Sequence, residues 1–398
     1  MPTYDFTTLR SRRHMGASKW VPMERAGVTD PDVIPFSVAD MDLLVAPEIV
    51  DAMQKAAAFG VYGYTGMDDA FRSAVTGWMA RRHGWTVDPG WLVNNFGVVH
   101  AVGQAVQAFT RPGDAIVTQT PAYPPFRRVA ESTGRIFLAD PLRRTEGGYE
   151  LDLNHLEDLC RRPETKLLIL CSPHNPTGRV WTRGGARGAV ADICRRHGVL
   201  VFSDEIHSDF VAPGHVHTVF AALDEETAHR CVVGTSASKT FNLAGLATAT
   251  TIIPDRELRR RFRAKTDGYA GEYTGYFGLA ATRAAYERGE PWLTAFLEHL
   301  AGNAALCRDF LAQRFPSVWT APWEGTYLLW ADFSCLGLDG EAQARFMREE
   351  AGLWLDEGPM FGPEGAGFER FVLACPRRHL EKALERLDAA VSRRGLPR

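Results

Sequence analysis

The fold is decided by the hydroxyl-rich stretch Thr235-Ser236-Ala237-Ser238-Lys239-Thr240-Phe241-Asn242, which follows the apolar run Cys231-Val232-Val233. The run predicts a buried strand, so Lys239 lies just beyond the carboxyl end of that strand. A lysine that loses hydration there can lose its proton and become an amine able to condense with an aldehyde. Ser236 and Ser238 supply hydroxyls suited to a phosphate. Taken alone, the stretch also fits an exposed loop with an ordinary lysine.

Two earlier apolar runs also end in polar residues. The runs and the residues after them are Lys166-Leu167-Leu168-Ile169-Leu170-Cys171 with Ser172-Pro173-His174-Asn175-Pro176-Thr177-Gly178, and Val199-Leu200-Val201-Phe202 with Ser203-Asp204-Glu205-Ile206-His207-Ser208-Asp209. Helical stretches separate the three runs at intervals of about 30 residues, which is typical of βαβ units in a parallel sheet. Ligands of such sheets bind outside the carboxyl ends of the strands. We therefore expect Asn175, Asp204, His207 and Lys239 to meet in one crevice.

An amide, a carboxylate, an imidazole and an amine in one crevice form a set that fits pyridoxal phosphate (PLP). A carboxylate at the pyridine nitrogen keeps it protonated, so that the ring withdraws electrons from the Cα of a substrate. Asn175 and His207 can hydrogen-bond the phenolate oxygen of the ring. Each residue has an ordinary alternative: Asn175 as a turn residue, Asp204 as a helix cap and His207 as a surface histidine. Their coincidence at corresponding strand ends favours the cofactor.

Two further stretches supply a phosphate site and a stacking ring. The stretch from Trp91 to Phe109 reads as strand, glycine and helix, a geometry in which backbone N–H groups at a helix N-terminus face an anion. In Thr120-Pro121-Ala122-Tyr123-Pro124-Pro125-Phe126 the prolines leave Tyr123 little freedom. Its ring is therefore well placed to stack on a flat ligand, with ordinary core packing as the alternative.

Composition excludes several classes of protein. The 398 residues exceed the usual size of one hydrophobic core, so we expect one large and one smaller domain. A formal net charge of -3, with 23% charged residues, gives no broad field for nucleic acid or an anionic membrane. The seven cysteines form no C-x-x-C pair, which disfavours zinc, and we expect no metal and a cytoplasmic protein with reduced thiols. Neither a signal peptide nor a membrane helix is apparent.

Apolar periodicity predicts the remaining elements. They are helices over 46–59, 69–83, 186–197, 291–315, 340–351 and 379–393, and strands over 115–118, 325–333 and 368–374. Residues 1–45 are rich in turn formers and are expected to lie as an arm across a larger body.

Three motifs extend the cofactor prediction to a family. Ser172-Pro173-His174-Asn175-Pro176-Thr177-Gly178-Arg179-Val180, Asp204-Glu205-Ile206-His207-Ser208-Asp209 and Ser238-Lys239-Thr240-Phe241-Asn242-Leu243-Ala244-Gly245-Leu246 resemble the class I/II aminotransferase superfamily of fold-type I. Val38-Ala39-Asp40-Met41-Asp42, Gly63-Tyr64-Thr65 and Ala374-Cys375-Pro376-Arg377 resemble its MalY/PatB-type cystathionine β-lyase branch.

The resemblance implies an α/β fold and a dimer. We expect a large PLP-binding domain over 46–285, built on a mostly parallel seven-stranded sheet flanked by helices. Residues 286–398 would form a smaller α+β domain together with the N-terminal arm, 1–45. Members of this superfamily are typically homodimers with the cofactor at the subunit boundary, so a homodimer is expected here.

The resemblance also implies a role for each site residue. Lys239 would be the Schiff-base lysine and Asp204 the partner of the pyridinium, with Asn175 and His207 on the phenolate, Tyr123 stacked on the ring, and the amides of Val98 and Val99 with Ser236 and Ser238 around the phosphate. Substrate would be bound by Arg370 through its α-carboxylate, by Ala39 and by Tyr64, which would also reach the cofactor phosphate from the neighbouring subunit. Without the resemblance, Arg370 reads as an exposed strand residue.

The chain departs from the family pattern at four places. They are Ala247, where many transaminases have an arginine, His100, Val372 and the segment 271–277. The departures leave the cofactor chemistry intact and bear on the substrate. We expect a C–S β-lyase acting on a cysteine thioether, with an aminotransferase or related biosynthetic enzyme as the alternative. A non-catalytic PLP-binding regulator is disfavoured because Lys239, Asp204 and Arg370 are all present and no helix-turn-helix segment precedes the fold.

Overall fold

The computed structural model describes residues 4–268 and 273–398. The helices are α1 (Val21–Arg25), α2 (Pro47–Phe59), α3 (Asp69–His83), α4 (Val98–Phe109), α5 (Pro124–Ser132), α6 (Leu153–Cys160), α7 (Gly188–Arg196), α8 (Glu225–Ala228), α9 (Ala237–Thr240), α10 (Arg256–Asp267), α11 (Tyr276–Arg288), α12 (Glu290–Arg314), α13 (Gly340–Arg345) and α14 (Arg377–Arg394). The strands are β1 (Leu92–Asn95), β2 (Ala115–Thr120), β3 (Ile136–Pro141), β4 (Arg143–Thr145), β5 (Gly148–Glu150), β6 (Thr165–Cys171), β7 (Leu200–Asp204), β8 (Cys231–Thr235), β9 (Ala249–Ile252), β10 (Trp319–Thr320), β11 (Leu328–Asp332), β12 (Asp356–Glu357) and β13 (Phe368–Val372).

The larger sheet has seven strands in the order β1-β9-β8-β7-β6-β2-β3. Only β9 runs antiparallel to its neighbours, which confirms the predicted, mostly parallel sheet. The three apolar runs that decide the fold are the adjacent strands β6, β7 and β8. Their ends are level, because Cys171 pairs with Asp204 and Asp204 pairs with Gly234. The polar residues that follow these strands therefore meet at one edge of the sheet.

The strands of this sheet are buried on both faces. In β6, Leu168 and Leu170 belong to one apolar cluster, whereas Leu167 and Ile169 belong to the cluster on the opposite face. Helices such as α4 cover the second face, where Val102 and Ala105 are fully buried. Burial on both sides explains why these strands read as continuous apolar runs rather than as alternating ones.

The C-terminal third carries a separate antiparallel sheet in the order β10-β11-β13-β12. It packs with the long helices α12 and α14, which match the helices predicted over 291–315 and 379–393. Helix α13 is shorter than the predicted 340–351, because the chain passes into a π-helical turn over Phe346–Glu350. The division into domains 46–285 and 1–45 with 286–398 stays a prediction.

The N-terminal segment contacts the C-terminal third through its backbone. Phe36 exchanges backbone hydrogen bonds with the C-terminal third, donating to Trp354 at 2.8 Å and accepting from Val372 at 2.9 Å. Lys19 and Asp42 form a fully buried ion pair at 2.6 Å. Across residues 4–268 and 273–398, no helix is long and apolar enough to cross a membrane.

Candidate active site

A cavity of about 400 Å³ opens at the carboxyl ends of β6, β7 and β8. Most of the side chains predicted for the site line it. They are Ala39, Val98, Val99, Tyr123, Asn175, Asp204, His207, Ser238, Lys239 and Arg370. Ser236 and Tyr64 are not among its lining residues. The sheet thus brings together groups that lie far apart in the sequence.

Lys239 lies on the short helix α9, directly after β8, and its amine points into the cavity. Nζ donates a hydrogen bond to the backbone oxygen of Ala39 at 2.5 Å. Burial lowers the pKa of Lys239 to about 8, and the positive charge of Arg370 acts in the same direction, whereas Asp40 and Asp204 oppose the shift. A substantial fraction of this amine is therefore neutral near pH 8, as condensation with an aldehyde requires.

Asp204 ends β7, and its carboxyl group is buried without a cation bound to it among the residues that the structure describes. Burial raises the pKa of Asp204 to about 7, and one backbone N–H, from Ile206 at 3.1 Å, partly offsets the shift. The adjacent Glu205 is equally buried but bonds Arg187 and His217, and its pKa falls to about 2. Asp204 is thus a buried acid that would gain from a cationic ligand such as a pyridinium.

His207 and Asn175 offer hydrogen-bonding groups near Lys239. Burial and the charges of Lys239 and Arg370 hold the pKa of His207 well below its usual range, so its ring is neutral. Its buried Nδ1 has no partner among the described residues. The Oδ1 atom of Asn175 accepts from Arg370 at 2.7 Å, which leaves the amide N–H groups for another acceptor. A phenolate oxygen fits this pair of residues.

The N-terminus of α4 and Ser238 line the cavity and are suited to hold an anion. Because α4 begins at Val98, the N–H groups of Val98 and Val99 have no partner within the helix and can face a phosphate. Ser236 is placed differently: its hydroxyl donates to the oxygen of Thr248 at 2.7 Å and accepts from the N–H of Ser238 at 3.0 Å. Ser236 therefore caps α9.

Arg370 is buried on β13, with 3% of its surface exposed, so the reading as an exposed strand residue does not hold. Its Nε and Nη2 donate to Asp356, and Nη1 donates to Asn175. The ring of Phe361 lies 4.8 Å from the guanidinium carbon. These bonds fix the plane of the guanidinium and leave an N–H on each terminal nitrogen for a carboxylate.

Sequence reasoning missed several residues of the cavity wall. Asp356, Arg128 and Phe96 were not singled out, although all three line the cavity. Met360 and Phe361, in the glycine-bracketed loop over 358–362, also line the cavity. A period-2 pattern could not reveal Asp356, because β12 has only two residues.

Tyr64 lies outside the cavity and is 93% exposed. Its ring packs at 5.3 Å against Tyr273, and Phe59, Val61 and Tyr62 nearby are also exposed. An apolar surface of this kind is typical of a contact with another protein chain. Of the segment 271–277, residues 271 and 272 lie outside the described residues.

Of the departures from the family pattern, Ala247 lines the cavity, whereas His100 and Val372 lie elsewhere. His100 lies in the first turn of α4, where its Nδ1 lies 3.2 Å from Oδ1 of Asn95 and its Nε2 lies 3.3 Å from Nε2 of Gln104. Val372 is buried at the end of β13. Neither residue lines the cavity.

The cavity fits PLP in each part of that molecule. Lys239, which is partly neutral, can react with the aldehyde. The buried carboxyl group of Asp204 can bind the pyridine nitrogen, and the N-terminus of α4 can bind the phosphate. Tyr123 at the head of α5 supplies a ring at the cavity wall. Amine, carboxyl and anion site lie at one edge of the sheet, so one ligand can engage all three.

Comparison with known proteins defines the class. The family model for aminotransferase class I and II matches residues 31–387, and the chain belongs to that family. It is 41% identical to the cystathionine β-lyase PatB of Bacillus subtilis, over 93% of this chain and 95% of the relative, and 32% identical to the protein MalY of Escherichia coli, over 98% and 99%. The fold is similar to that of cystalysin from Treponema denticola, a PLP-containing structure, with a TM-score of 0.96 and 36% identity over 98% of this chain and 100% of that one.

Proposed function

We propose that the chain is a PLP-dependent C–S β-lyase, which converts a cysteine thioether and water into a thiol, pyruvate and ammonia. The observation that carries the proposal is the convergence of Lys239, Asp204 and Arg370 on one cavity. The cystathionine β-lyases among the relatives support the same reaction. When bound, PLP would supply an electron sink for the carbanion formed at the substrate Cα.

Arg370 orients the substrate. Its two remaining N–H groups bind the α-carboxylate in a two-pronged way, because Asp356 and Asn175 hold the guanidinium rigid. Ala39, on the arm, also lines the cavity and limits where the amino acid can lie, since its backbone oxygen already accepts a hydrogen bond from Lys239. The Cα–H bond is thereby presented to Lys239.

Lys239 moves the proton. With a pKa of about 8, its amine removes the Cα proton as a general base. Asp204 would hold the pyridine nitrogen of PLP and favour its protonated form. The C–S bond then breaks, the electron pair leaves with sulfur, and the thiolate takes up a proton. Hydrolysis of the remaining enamine yields pyruvate and ammonia. The apolar side chains of Phe96, Met360 and Phe361 flank the space for the leaving thiol.

The assembly is part of the proposal. Tyr64, with its exposed aromatic neighbours, would enter the cavity of a second copy, which makes the enzyme a homodimer with shared sites. Among the described residues, buried cysteines such as Cys171 and Cys231 form no disulfide bond. Free thiols suit a reducing compartment, and we propose that the enzyme is cytoplasmic.

A product assay tests the proposed reaction. Purified protein loaded with PLP is given cystathionine without any keto acid, and pyruvate and free thiol are measured against the amount of enzyme. We expect both products at many equivalents per subunit. At most one equivalent of aminated cofactor without pyruvate would instead identify an aminotransferase. No reaction with any amino acid, together with retained PLP, would point to a binding protein.

A further inference from the structure

Arg128 is the charged residue of the cavity wall for which the proposed reaction has no use. It lies on α5, in the turn that follows Tyr123, and lines the cavity with Pro124 and Pro125. The residue is exposed, which places it at the mouth of the cavity rather than beside Lys239. Its neighbour Arg127 is different: it pairs with Glu131 at 3.4 Å and does not line the cavity.

The other ionic groups of the cavity already have a partner or a role in the proposed reaction. Arg370 is held by Asp356 and Asn175, and Lys239 and Asp204 serve the cofactor. Arg128, in contrast, has no ion pair or hydrogen bond among the residues that the structure describes. An arginine without an anionic partner at the edge of a ligand cavity offers two-pronged binding to a carboxylate.

The charge of Arg128 reaches the interior of the cavity. Burial raises the pKa of Tyr123, and the positive charges of Arg370 and Arg128 both oppose this shift. The tyrosine hydroxyl thus lies in the field of two arginines. The cavity wall also carries Met360 and Phe361, whose apolar side chains suit an aliphatic thioether.

We propose that Arg128 selects cysteine S-conjugates whose leaving thiol ends in an anionic group, above all a carboxylate. The inference rests on the proposed function, because it assigns the outer end of the same substrate. Arg370 binds the α-carboxylate, the apolar wall contacts the thioether, and Arg128 binds the distal carboxylate at the mouth. Arg370 and Arg128 line the same cavity, so one ligand can reach both.

The test compares two conjugates of the same shape and different charge, S-(2-carboxyethyl)-L-cysteine and S-(2-carbamoylethyl)-L-cysteine. For the unmodified enzyme we expect kcat/KM to favour the carboxylate by about tenfold, the effect of one good charge-assisted contact. Arg128→Gln should bring the ratio to about one, and Arg128→Glu should invert it. Arg127→Gln, with the same loss of charge one residue away, should keep the original ratio.

An unmodified ratio near one, or equal losses for both conjugates in Arg128→Gln, would overturn the inference. Turnover of neither conjugate would contradict the proposed function instead. The selectivity can then still be decided by calorimetry, with both conjugates binding to a PLP-loaded Lys239→Ala variant that cannot turn them over. Tighter binding of the carboxylate that depends on Arg128 is expected, and equal binding would reject the role of Arg128.

Discussion

Asp356 bonds the guanidinium of Arg370 through Nε at 3.2 Å and through Nη2, and the two residues are register partners on β12 and β13. The same carboxylate oxygen accepts the backbone N–H of Val38 at 2.9 Å. One buried carboxylate therefore connects the N-terminal arm, which carries Ala39, to the arginine proposed to bind substrate. Asp356 is a positioning residue, because it acts through Arg370.

Replacing Asp356 by Asn should weaken substrate binding more than chemistry. The amide oxygen carries no negative charge, so its hydrogen bonds to the guanidinium are weaker and Arg370 loses its fixed orientation. We expect KM to rise about 10- to 100-fold while kcat falls less than fivefold, from the cost of about 1.5–3 kcal/mol for a hydrogen bond to a charged group. Steady-state kinetics with cystathionine measure the changes in KM and kcat separately.

Glu357→Gln is the matched control for Asp356→Asn. Glu357 is the next residue of β12 and pairs with Arg348 at the surface, outside the cavity. Its replacement should leave both constants within twofold of the parent. A fall in kcat alone for Asp356→Asn, with KM unchanged, would contradict the positioning role.

The rate at which PLP-free protein bonds the cofactor should depend on pH through Lys239. Only the neutral amine attacks an aldehyde, and burial lowers the pKa of Lys239 to about 8, from an ordinary value of 10.5. We expect the rate to rise with pH and to level off above about pH 8. Stopped-flow absorbance after mixing with PLP measures it. A rate still climbing at pH 10 would show that the amine is not perturbed.

Asp204→Asn should stabilise the PLP-free protein at alkaline pH. The folded pKa of Asp204, about 7, exceeds its ordinary value of 3.8, so the folded state binds the proton more tightly than the unfolded state. Its stabilising contribution is full below about pH 4 and is lost as pH rises to about 7. The variant should therefore match the parent at pH 4 and exceed its free energy of unfolding by about 4 kcal/mol at pH 8.

Asp209→Asn supplies a contrast for Asp204→Asn. Asp209 is also buried, but it accepts from Thr240 at 2.7 Å and contacts His83 at 3.1 Å, and its pKa is lowered despite burial. Its replacement should destabilise the protein at pH 8. Urea unfolding of the parent and both variants at pH 4 and pH 8 measures these free energies. If Asp204→Asn is less stable than the parent at pH 8, Asp204 is not a buried carboxyl group without a stabilising partner.

Mixing two inactive variants tests the proposed shared site. Tyr64→Ala removes the tyrosine and Lys239→Ala removes the lysine that each site needs. If Tyr64 enters the site of the neighbouring subunit, a dimer of one variant with the other has one site that contains both residues. Statistical exchange should restore about a quarter of the parent activity. Exchange followed by an assay of pyruvate from cystathionine measures the recovery. Persistent inactivity, with mixed dimers verified by mass spectrometry, would place Tyr64 in its own subunit's site or outside both.

Much of the fold and of the site could be predicted because three neighbouring strands leave strong local signals. Burial on both faces makes β6, β7 and β8 continuous apolar runs. The register pairs Cys171 with Asp204 and Asp204 with Gly234, so the residues that follow the three strands lie close together. Asn175, Asp204 and Lys239 could therefore be expected to meet. The motifs around them resemble a family whose membership the comparisons establish.

The remaining wall of the cavity depends on tertiary contacts that carry no local pattern. Asp356 reaches Arg370 only because a two-residue strand pairs with β13. Ser236 carries the hydroxyl expected near a phosphate, but that hydroxyl bonds the backbone oxygen of Thr248, a partner 12 residues away. Arg128 and Arg127 are adjacent and identical, and only the packing of α5 decides which of them faces the cavity.

The most direct test of the account is to locate the bond between the chain and PLP. The loaded protein is treated with borohydride, which makes a bond between a lysine amine and the PLP aldehyde permanent, and its peptides are analysed by mass spectrometry. The account predicts the reduced cofactor on Lys239, with Lys19, Lys55, Lys166, Lys265 and Lys382 unmodified. Cofactor on another lysine, or on none, would contradict the central claim that this cavity is the catalytic PLP site.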